Sequence, residues 1–366
     1  MKNKKIKVHV QYPWRFSDSS TYKYLVRYPP ENVEYLNIKT EKGATYNKRK
    51  LAVLFFIKSF IRKWTNKLNL AIPNAHFTKK GNYDLIFCAH CLSRNKNVPW
   101  VCDFENGWSL FISGANTSKG IRKVEKFLKR DNCKALLPWS NKTKKEILEK
   151  FPGIEDKVQV IYSAVPEKDF KKKKSKDLKL IFSGRYFYMK GGLHALEVID
   201  KLTMKYKNVR GIINSEVPVE IKNKYSKNSK MDFYGLIPQN ELFKLYEKSD
   251  ILVYPGYSDN VSSAFLESMS FGIPIVTVDG DSRKEIVEEG KTGFVIERPK
   301  NFSRERIGKE EEKIIESLSE KTSLLIENKS LLEKMSKNCL KEIKDGKFSI
   351  KERNKKLRKI YEDALK

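Results

Sequence analysis

The sequence lacks any apolar run long enough to cross a bilayer, for which a helix needs about 18–20 consecutive apolar residues. Its start, Met1 to Val10, is basic and leads into a predicted strand, without the apolar stretch or cleavage site of a signal peptide. The five cysteines are an odd number and follow no disulfide framework spacing, which favours a reducing compartment. We therefore expect a cytoplasmic protein.

Metal-binding patterns are scarce as well. Cys88, His90 and Cys91 lie close together, but no second Cys/His pair follows at the spacing that zinc sites use. Buried thiols at the end of a strand are the better interpretation of this cluster. We expect neither a metal site nor a cofactor.

Acidic residues are few, 45 against 74 lysines and arginines, so the formal net charge is +29. Residues 1–166 hold 32 of the basic but only 13 of the acidic residues. Such an excess suits nucleic acid, an anionic membrane or phosphorylated ligands. It also fits the Lys- and Glu-rich composition of many heat-adapted organisms. The sequence has no recognisable RNA- or DNA-binding motif, so we do not expect nucleic acid as a partner.

The most informative stretch is a strand, a polar loop, a helix and a second strand. The strands are the apolar runs Ile251–Tyr254 and Ile273–Val278, and the helix is predicted over Ser263–Phe271. Continuous apolar runs of this length fit parallel strands that are covered on both faces. Asp259 in the loop and Glu267 on the helix then lie near the carboxyl end of a strand, where open α/β sheets bind ligands. Glu267 alone would fit a solvated helix face.

A second segment combines two cations with glycines. Gly184 and Arg185 follow the predicted strand 178–183, and Lys190 precedes a Gly-Gly pair that opens a predicted helix. Two cations at a strand end and before a helix suit a bound diphosphate. Taken alone, they would be ordinary surface charges.

Together the two segments resemble the donor-site motifs of retaining glycosyltransferases of the GT-B fold, family 4 (glycosyl transferases group 1). Gly184, Arg185 and Lys190 match that family's Gly-Arg-x4-Lys-Gly segment, and Asp259 with Glu267 matches its acid-x7-Glu pair, with Asp as the first acid. The resemblance implies catalytic roles for Arg185, Lys190 and Asp259, a sugar contact for Asp259 and a ribose contact for Glu267. It implies that the donor is bound by Gly184, Arg185, Lys190, Asp259, Asn260, Val261, Ser262, Ser263 and Glu267.

On the acceptor side the resemblance rests on fewer residues. The loop after the first strand, which is often Gly-rich in relatives, has Ser17 and Asp18 here. Where relatives often carry a His-Asp pair after a later strand, this chain has Glu105 and Asn106. His90 follows another predicted strand, and a lone histidine is more often structural than catalytic. These five residues are the candidate acceptor-side positions.

The resemblance implies two doubly wound Rossmann-like α/β domains that face each other across a cleft, with a C-terminal helix crossing back to the first domain. The predicted parts are an acceptor-side domain 1–166, a basic linker 167–177, a nucleotide-sugar-binding domain 178–345 and a terminal crossover helix 346–366. Val158–Ile161 is expected to close the first domain as a strand, and Asn301–Cys339 is expected to be helical.

Residues 48–70 form a basic and apolar segment of helical character. Its apolar residues recur at helical spacing: Val53, Ile57, Phe60, Ile61, Trp64 and Leu68. Its cations stand beside them: Lys58, Arg62, Lys63 and Lys67. Either the apolar stripe packs in the core of the domain, or the helix docks on an anionic membrane surface.

The function implied by the resemblance is retaining, metal-independent transfer of a hexosyl group from a nucleotide-diphosphate sugar. The acceptor would be a carbohydrate or a lipid-linked molecule, in glycan or cell-envelope polysaccharide biosynthesis at the cytoplasmic face of the membrane. Two alternatives stay open. One is another GT-B activity, such as a sugar-nucleotide epimerase or a phosphorylase, and the other is a basic nucleic-acid-binding protein.

Overall fold

The structure is a computed structural model that describes residues 5–12, 20–37, 48–68, 70–170, 172, 175–256 and 261–366. The chain divides into two compact units, the first made of Met1–Ala164 with Ile350–Lys366 and the second of Val165–Ser349. The segment 167–177, predicted as a linker, is counted with the second unit. There the Nζ of Lys172 lies 3.0 Å from the carboxylate of Asp250.

The first unit is built on a parallel sheet with the strand order β2-β1-β5-β7-β9. Two short strand pairs, β3 with β8 and β4 with β6, lie beside it. The strands are β1 Ile6–Gln11, β2 Val33–Leu36, β3 Ile72–Pro73, β4 Ala75–His76, β5 Leu85–Ala89, β6 Leu92–Ser93, β7 Trp100–Phe104, β8 Phe111–Ser113 and β9 Cys133–Pro138. Every residue of β5 and β7 is buried, as expected for parallel strands covered on both faces.

Helices of the first unit follow the strands along the chain. They are α1 Ser20–Arg27, α2 Lys48–Lys67, α3 Ser118–Leu128 and α4 Asn141–Lys150, with short 3-10 helices at Gly107–Leu110 and Glu155–Lys157. Hydroxyl N-caps fix two of the starts, because Thr117 accepts from the N–H of Gly120 and Ser140 accepts from the N–H of Thr143.

The second unit contains a parallel sheet with the order β12-β11-β10-β13-β14-β15. Its strands are β10 Leu178–Ser183, β11 Val209–Asn214, β12 Met231–Tyr234, β13 Ile251–Tyr254, β14 Ile275–Val278 and β15 Gly293–Ile296. Its helices are α5 Gly192–Lys205, α6 Val219–Lys224, α7 Gln239–Lys248, α8 Ser263–Met269, α9 Arg283–Ile286, α10 Lys309–Glu327 and α11 Lys329–Lys344. Numbered within the unit, the strand order is 3-2-1-4-5-6, the doubly wound arrangement of dinucleotide-binding folds.

The last helix, α12 Ile350–Ala364, belongs to the first unit, as predicted. The guanidinium of its buried Arg353 donates to the carbonyl oxygens of Tyr24 and Tyr28 at 3.3 and 2.6 Å. The hydroxyl of Tyr361 lies 2.9 Å from that of Tyr35 at the end of β2. These contacts tie the end of the chain to α1 and to the sheet of the first unit.

Two sequence expectations differ from the structure. Val158–Ile161 is not a strand, because only the N–H groups of Gln159 and Ile161 bond to the carbonyl oxygens of β9, which leaves a single bridge at Val158. The helical stretch predicted over 301–339 begins only at Lys309, and it is divided at Asn328, whose side chain accepts from the N–H of Leu331 and so starts a new helix. Within the described ranges, no helix combines the length and the apolar character that crossing a membrane requires.

Candidate active site

The candidate donor site lies where the strand order of the second sheet reverses. β10 and β13 are adjacent and parallel, and the chain leaves them toward neighbours on opposite sides. Loops at such a switch point separate and leave a crevice at the carboxyl ends of the strands. The segment with Gly184, Arg185 and Lys190 follows β10, and the loop with Asp259 follows β13. The two motifs predicted from sequence therefore meet at the same edge of the sheet.

A tight turn brings Lys190 back over Gly184. The N–H of Lys190 donates to the carbonyl of Tyr186 at 2.9 Å, and Gly191 lies in the left-handed region with a φ of 74°. A Cβ on Gly184 would lie 2.7 Å from the Cβ of Lys190, so only glycine fits beneath this side chain. Arg185 is exposed and Lys190 is half-buried, which leaves both cations at the surface of the crevice.

The turn also touches the chain that leaves β13. A Cβ on Gly191 would lie 2.6 Å from the backbone nitrogen of Gly256, and a Cβ on Gly256 would lie 2.6 Å from the Cα of Lys190. Neither residue could carry a side chain without separating the two backbones. The position of Lys190 is thus fixed relative to the start of the loop that carries Asp259.

Glu267 is a buried carboxylate, with 5% of its surface exposed, so a solvated helix face is excluded. The Nε2 of Gln239, from the start of α7, donates to its Oε1 at 2.7 Å. Burial, and to a lesser extent the charge of Glu267, raise the pKa of the buried Tyr246 on α7. A buried carboxylate held by an amide on a neighbouring helix is a preorganised hydrogen-bond acceptor.

The other predicted donor residues differ in whether the structure describes them and in how exposed they are. Asp259 and Asn260 lie outside the described residues. Val261 and Ser262 are buried, and Ser263 is exposed at the start of α8. The hydroxyl of Ser262 lies 3.5 Å from that of Tyr254 at the end of β13.

One residue of this region was missed by the sequence analysis. Arg283, on α9, is fully buried, and its guanidinium donates to the carbonyl of Gly256. The guanidinium also lies over the rings of Tyr254 and Phe265, at 5.2 and 4.5 Å. A signal was present, because Arg283 stands three positions before the apolar Ile286 and therefore on the same helical face.

In the first unit, a polar cluster lies at the carboxyl ends of β5, β7 and β9. Asp103 of β7 is buried and accepts from the hydroxyl of Tyr22 at 2.8 Å and from the indole N–H of Trp139 at 3.0 Å. Burial raises the pKa of the Asp103 carboxyl to about 7, although these two hydrogen bonds oppose the shift. Sequence analysis overlooked Asp103, whose signal was a single acid inside an apolar strand.

His90 belongs to this cluster, whereas Glu105 and Asn106, the other acceptor-side candidates near it in the sequence, make different contacts. Its ring packs edge-on against Trp139 at 4.9 Å, and burial lowers its pKa to about 4, so the imidazole is neutral. Asn106 caps a 3-10 helix by accepting from the N–H of Ser109. The carbonyl of Glu105 accepts from the hydroxyl of Thr143 at 2.9 Å. Ser17 and Asp18 lie outside the described residues.

The cysteines and acids offer little to a metal ion. Cys88 and Cys91 are buried free thiols, as the sequence analysis favoured. Asp279 and Asp281 form an Asp-x-Asp pair after β14, but the Oδ2 of Asp279 is paired with Lys284 at 2.9 Å. In the parts of the chain that the structure describes, no three His, Cys, Asp or Glu side chains are grouped so that they could hold a metal ion.

The second unit is similar to a known family. Residues 165–342, just under half of the chain, match the model of glycosyl transferases group 1, and this range is called here the group 1 domain. The matched range coincides with the second unit, so the group 1 domain includes the switch point, both cations and Glu267.

A curated protein is similar to this chain as well. An uncharacterized glycosyltransferase of Methanocaldococcus jannaschii is 24% identical over 248 residues, which are 60% of this chain and 63% of that protein. The chain therefore matches less than two thirds of that relative.

Among solved structures, a glycosyltransferase from Rickettsia africae aligns with 100% of this chain and 99% of its own, at 15% identity and a TM-score of 0.63. Anabaena HepE, solved with UDP-glucose, aligns with 96% of this chain and 98% of its own, at 12% identity and a TM-score of 0.58. These likenesses confirm the predicted GT-B fold class.

Proposed function

We propose that the protein is a glycosyltransferase that takes a sugar from a nucleoside-diphosphate sugar. The observation that carries this proposal is the arrangement at the switch point of the group 1 domain. There a cation-bearing turn is in backbone contact with the loop of Asp259, and a buried carboxylate, Glu267, lies on the helix that follows. An epimerase or phosphorylase is less favoured, because this combination matches the donor segment of the family.

The chemistry of the donor assigns a task to each side chain. When the bond between the sugar and the diphosphate breaks, negative charge grows on the leaving phosphate. Arg185 and Lys190 stabilise that charge, and fixed cations of this kind take the place of a divalent metal. Glu267 accepts hydrogen bonds from the ribose hydroxyls, and Asp259 contacts the transferred sugar. In a retaining reaction the leaving phosphate accepts the proton of the acceptor, so no separate base is required.

A panel of donors tests the proposal directly. A ligand that binds only the folded protein raises its melting temperature by mass action. We expect UDP-sugars, of the kind bound by Anabaena HepE, to stabilise the protein more than free sugars do. GDP- and ADP-sugars complete the panel. If no nucleotide sugar raises the melting temperature and none is hydrolysed or transferred, the proposal is wrong.

Two finer features of the proposed reaction are measured on the same material. We expect the product to keep the anomeric configuration of the donor, which proton NMR of the first turnover reports. We also expect turnover to be unaffected by EDTA, since Arg185 and Lys190 supply the positive charge. A product with inverted anomeric configuration would contradict the retaining mechanism. Loss of turnover in EDTA that a divalent cation restores would contradict metal independence.

We further propose that α2 docks the first unit on an anionic membrane, where a lipid-linked acceptor is glycosylated. Phe56, Phe60 and Trp64 are 71%, 52% and 46% exposed, so this apolar stripe is not packed in the core. Their rings follow one another at 6.3 and 5.9 Å along one face of the helix, with the Nζ of Lys67 5.2 Å from the Trp64 ring. Basic and aromatic residues on one helix suit the headgroup region of an anionic bilayer.

Vesicle co-sedimentation tests this docking. Each cation near an anionic surface contributes about 1 kcal/mol, so Lys63→Glu/Lys67→Glu should weaken binding at least tenfold. Phe60→Ser/Trp64→Ser should weaken it too, by removing buried apolar area. The matched control is the replacement of two exposed lysines on other helices, Lys126 and Lys145, by glutamate. Equal sedimentation with neutral and anionic vesicles, or none, would favour a soluble acceptor.

A further inference from the structure

Arg283 occupies an unusual place for a cation. It is fully buried, with its guanidinium over the rings of Tyr254 and Phe265. Taking a charge out of water is costly, and an apolar side chain of similar size often stabilises such a position better. Cation–π contacts return part of that cost. A buried arginine of this kind is therefore better explained by the geometry that it fixes than by stability alone.

Arg283 contacts the chain on both sides of the Asp259 loop, and it reaches the Lys190 turn through Gly256. Tyr254 ends β13, and Gly256 begins the loop that carries Asp259. Phe265 lies on α8, the helix of Glu267. The guanidinium donates to the carbonyl of Gly256, which is where the turn of Lys190 meets this chain.

We propose that Arg283 is a positioning residue of the donor site, which holds the backbone at Gly256 and through it sets the place of Lys190. The guanidinium fork can donate to a carbonyl while its flat faces stack on aromatic rings, which an ammonium group cannot do equally well. Because Gly256 and the Lys190 turn have no side chains between them, a shift of one backbone is transmitted to the other. Arg283 therefore acts through the main chain rather than by touching the donor.

The proposal rests on the proposed function and predicts an uneven effect on the donor. Lys190 faces the diphosphate, whereas Glu267 holds the ribose through a side chain that Gln239 anchors independently. Loss of Arg283 should then affect the diphosphate half more than the nucleoside half. A role in general stability would weaken both halves alike.

Calorimetry with UDP and UMP separates these outcomes, with GDP and GMP used instead if the wild type prefers guanine. The variants are Arg283→Met, which keeps the volume without the charge, and Arg283→Lys, which keeps the charge without the fork. Leu325→Ala, a buried residue near the end of α10 and outside the donor site, serves as the control for lowered stability. Each variant is measured at a temperature where its circular dichroism shows it to be folded.

We expect Arg283→Met to bind UDP about tenfold more weakly or worse, because Lys190 then lies out of place for its charge-assisted hydrogen bond to the diphosphate. UMP binding should change less than about threefold, and Arg283→Lys should fall between Arg283→Met and the wild type. Leu325→Ala should bind both nucleotides like the wild type.

UDP binding by Arg283→Met within about threefold of the wild type, or equal losses for UDP and UMP, would overturn the proposal. If Arg283→Met does not fold, Arg283→Lys decides alone: a selective loss for UDP supports the proposal, and wild-type affinity overturns it. If the wild type itself binds no nucleoside diphosphate, the proposed function fails first. If the wild type and the control bind but Arg283 has no selective effect, only this inference fails.

Discussion

The contact between the Lys190 turn and Gly256 gives the sharpest test of the site. In Gly191→Ala the new Cβ would lie 2.6 Å from the nitrogen of Gly256. An ordinary contact between heavy atoms is about 3.5–4.0 Å, so the two backbones must separate by roughly 1 Å. A displacement of that size near the reacting bond costs up to about a hundredfold in rate. We therefore expect kcat/KM for sugar transfer to fall by about that factor.

The chain offers a matched control for this change. Gly290 has a φ of 71°, close to the 74° of Gly191, but nothing lies within 4 Å of the Cβ that alanine would add there. Both substitutions carry the same left-handed strain of roughly 1–2 kcal/mol. The fall in the melting temperature of Gly290→Ala measures that strain alone, and Gly191→Ala should lose further stability because of its clash with Gly256. Only Gly191→Ala should lose activity. Equal kcat/KM values for Gly191→Ala and Gly290→Ala would refute the view that this contact shapes the donor site.

Four further substitutions test the other side chains of the proposed site and one buried histidine. Lys190→Ala should lower kcat about a hundredfold without unfolding the protein, because a charged stabiliser of the leaving phosphate is lost; stopped-flow or product chromatography measures it, and near-normal turnover would contradict it. Glu267→Gln should weaken UDP binding about tenfold by removing a charged acceptor. Asp259→Asn should lower turnover more than UDP affinity. Calorimetry with UDP measures both affinities, and a loss of UDP binding in Asp259→Asn but not in Glu267→Gln would reverse the two roles. Burial lowers the pKa of His194 to about 4 from 6.5, so the unfolded chain binds its proton first and stability falls as pH drops from 6.5 to 4. His194→Leu should remove about 3 kcal/mol of this loss in the free energy of unfolding, measured in urea. Because the pKa of Asp103 is shifted in the opposite direction, the quantity to compare is the difference between the wild type and His194→Leu at each pH.

Two strands of the second unit could be predicted residue by residue, and the reason is physical. Predominantly apolar runs bounded by Gly, Pro or Asp mark a buried strand, and β10 and β13 begin and end at the predicted residues. Val158–Ile161 is also mainly apolar, but only two of its N–H groups bond to β9, which a sequence pattern does not reveal. The order in which the strands pair also depends on the folded sheet, so strand patterns in the sequence do not reveal it.

Candidate donor residues could be proposed from the sequence where a short motif brings them together in the chain. Arg185 and Lys190 share one turn, and Glu267 stands at a fixed spacing from Asp259. Arg283 lies beyond the next strand, and its role depends on where α9 packs. Its spacing from Ile286 places it on an apolar helical face but does not show which residues it contacts.

The sequence of α2 does not show whether its apolar stripe faces a core or a membrane. Helical periodicity identifies an apolar stripe, but the stripe has the same spacing whether it faces a core or a membrane. The exposure of Phe56, Phe60 and Trp64 removes the first alternative within the first unit. Most of the excess positive charge belongs to that part of the chain, while the group 1 domain contains the proposed nucleotide site. The two proposals thus assign one anionic ligand to each unit: a diphosphate to the cations of the Lys190 turn, and a lipid surface to a helix whose cations need no fixed geometry.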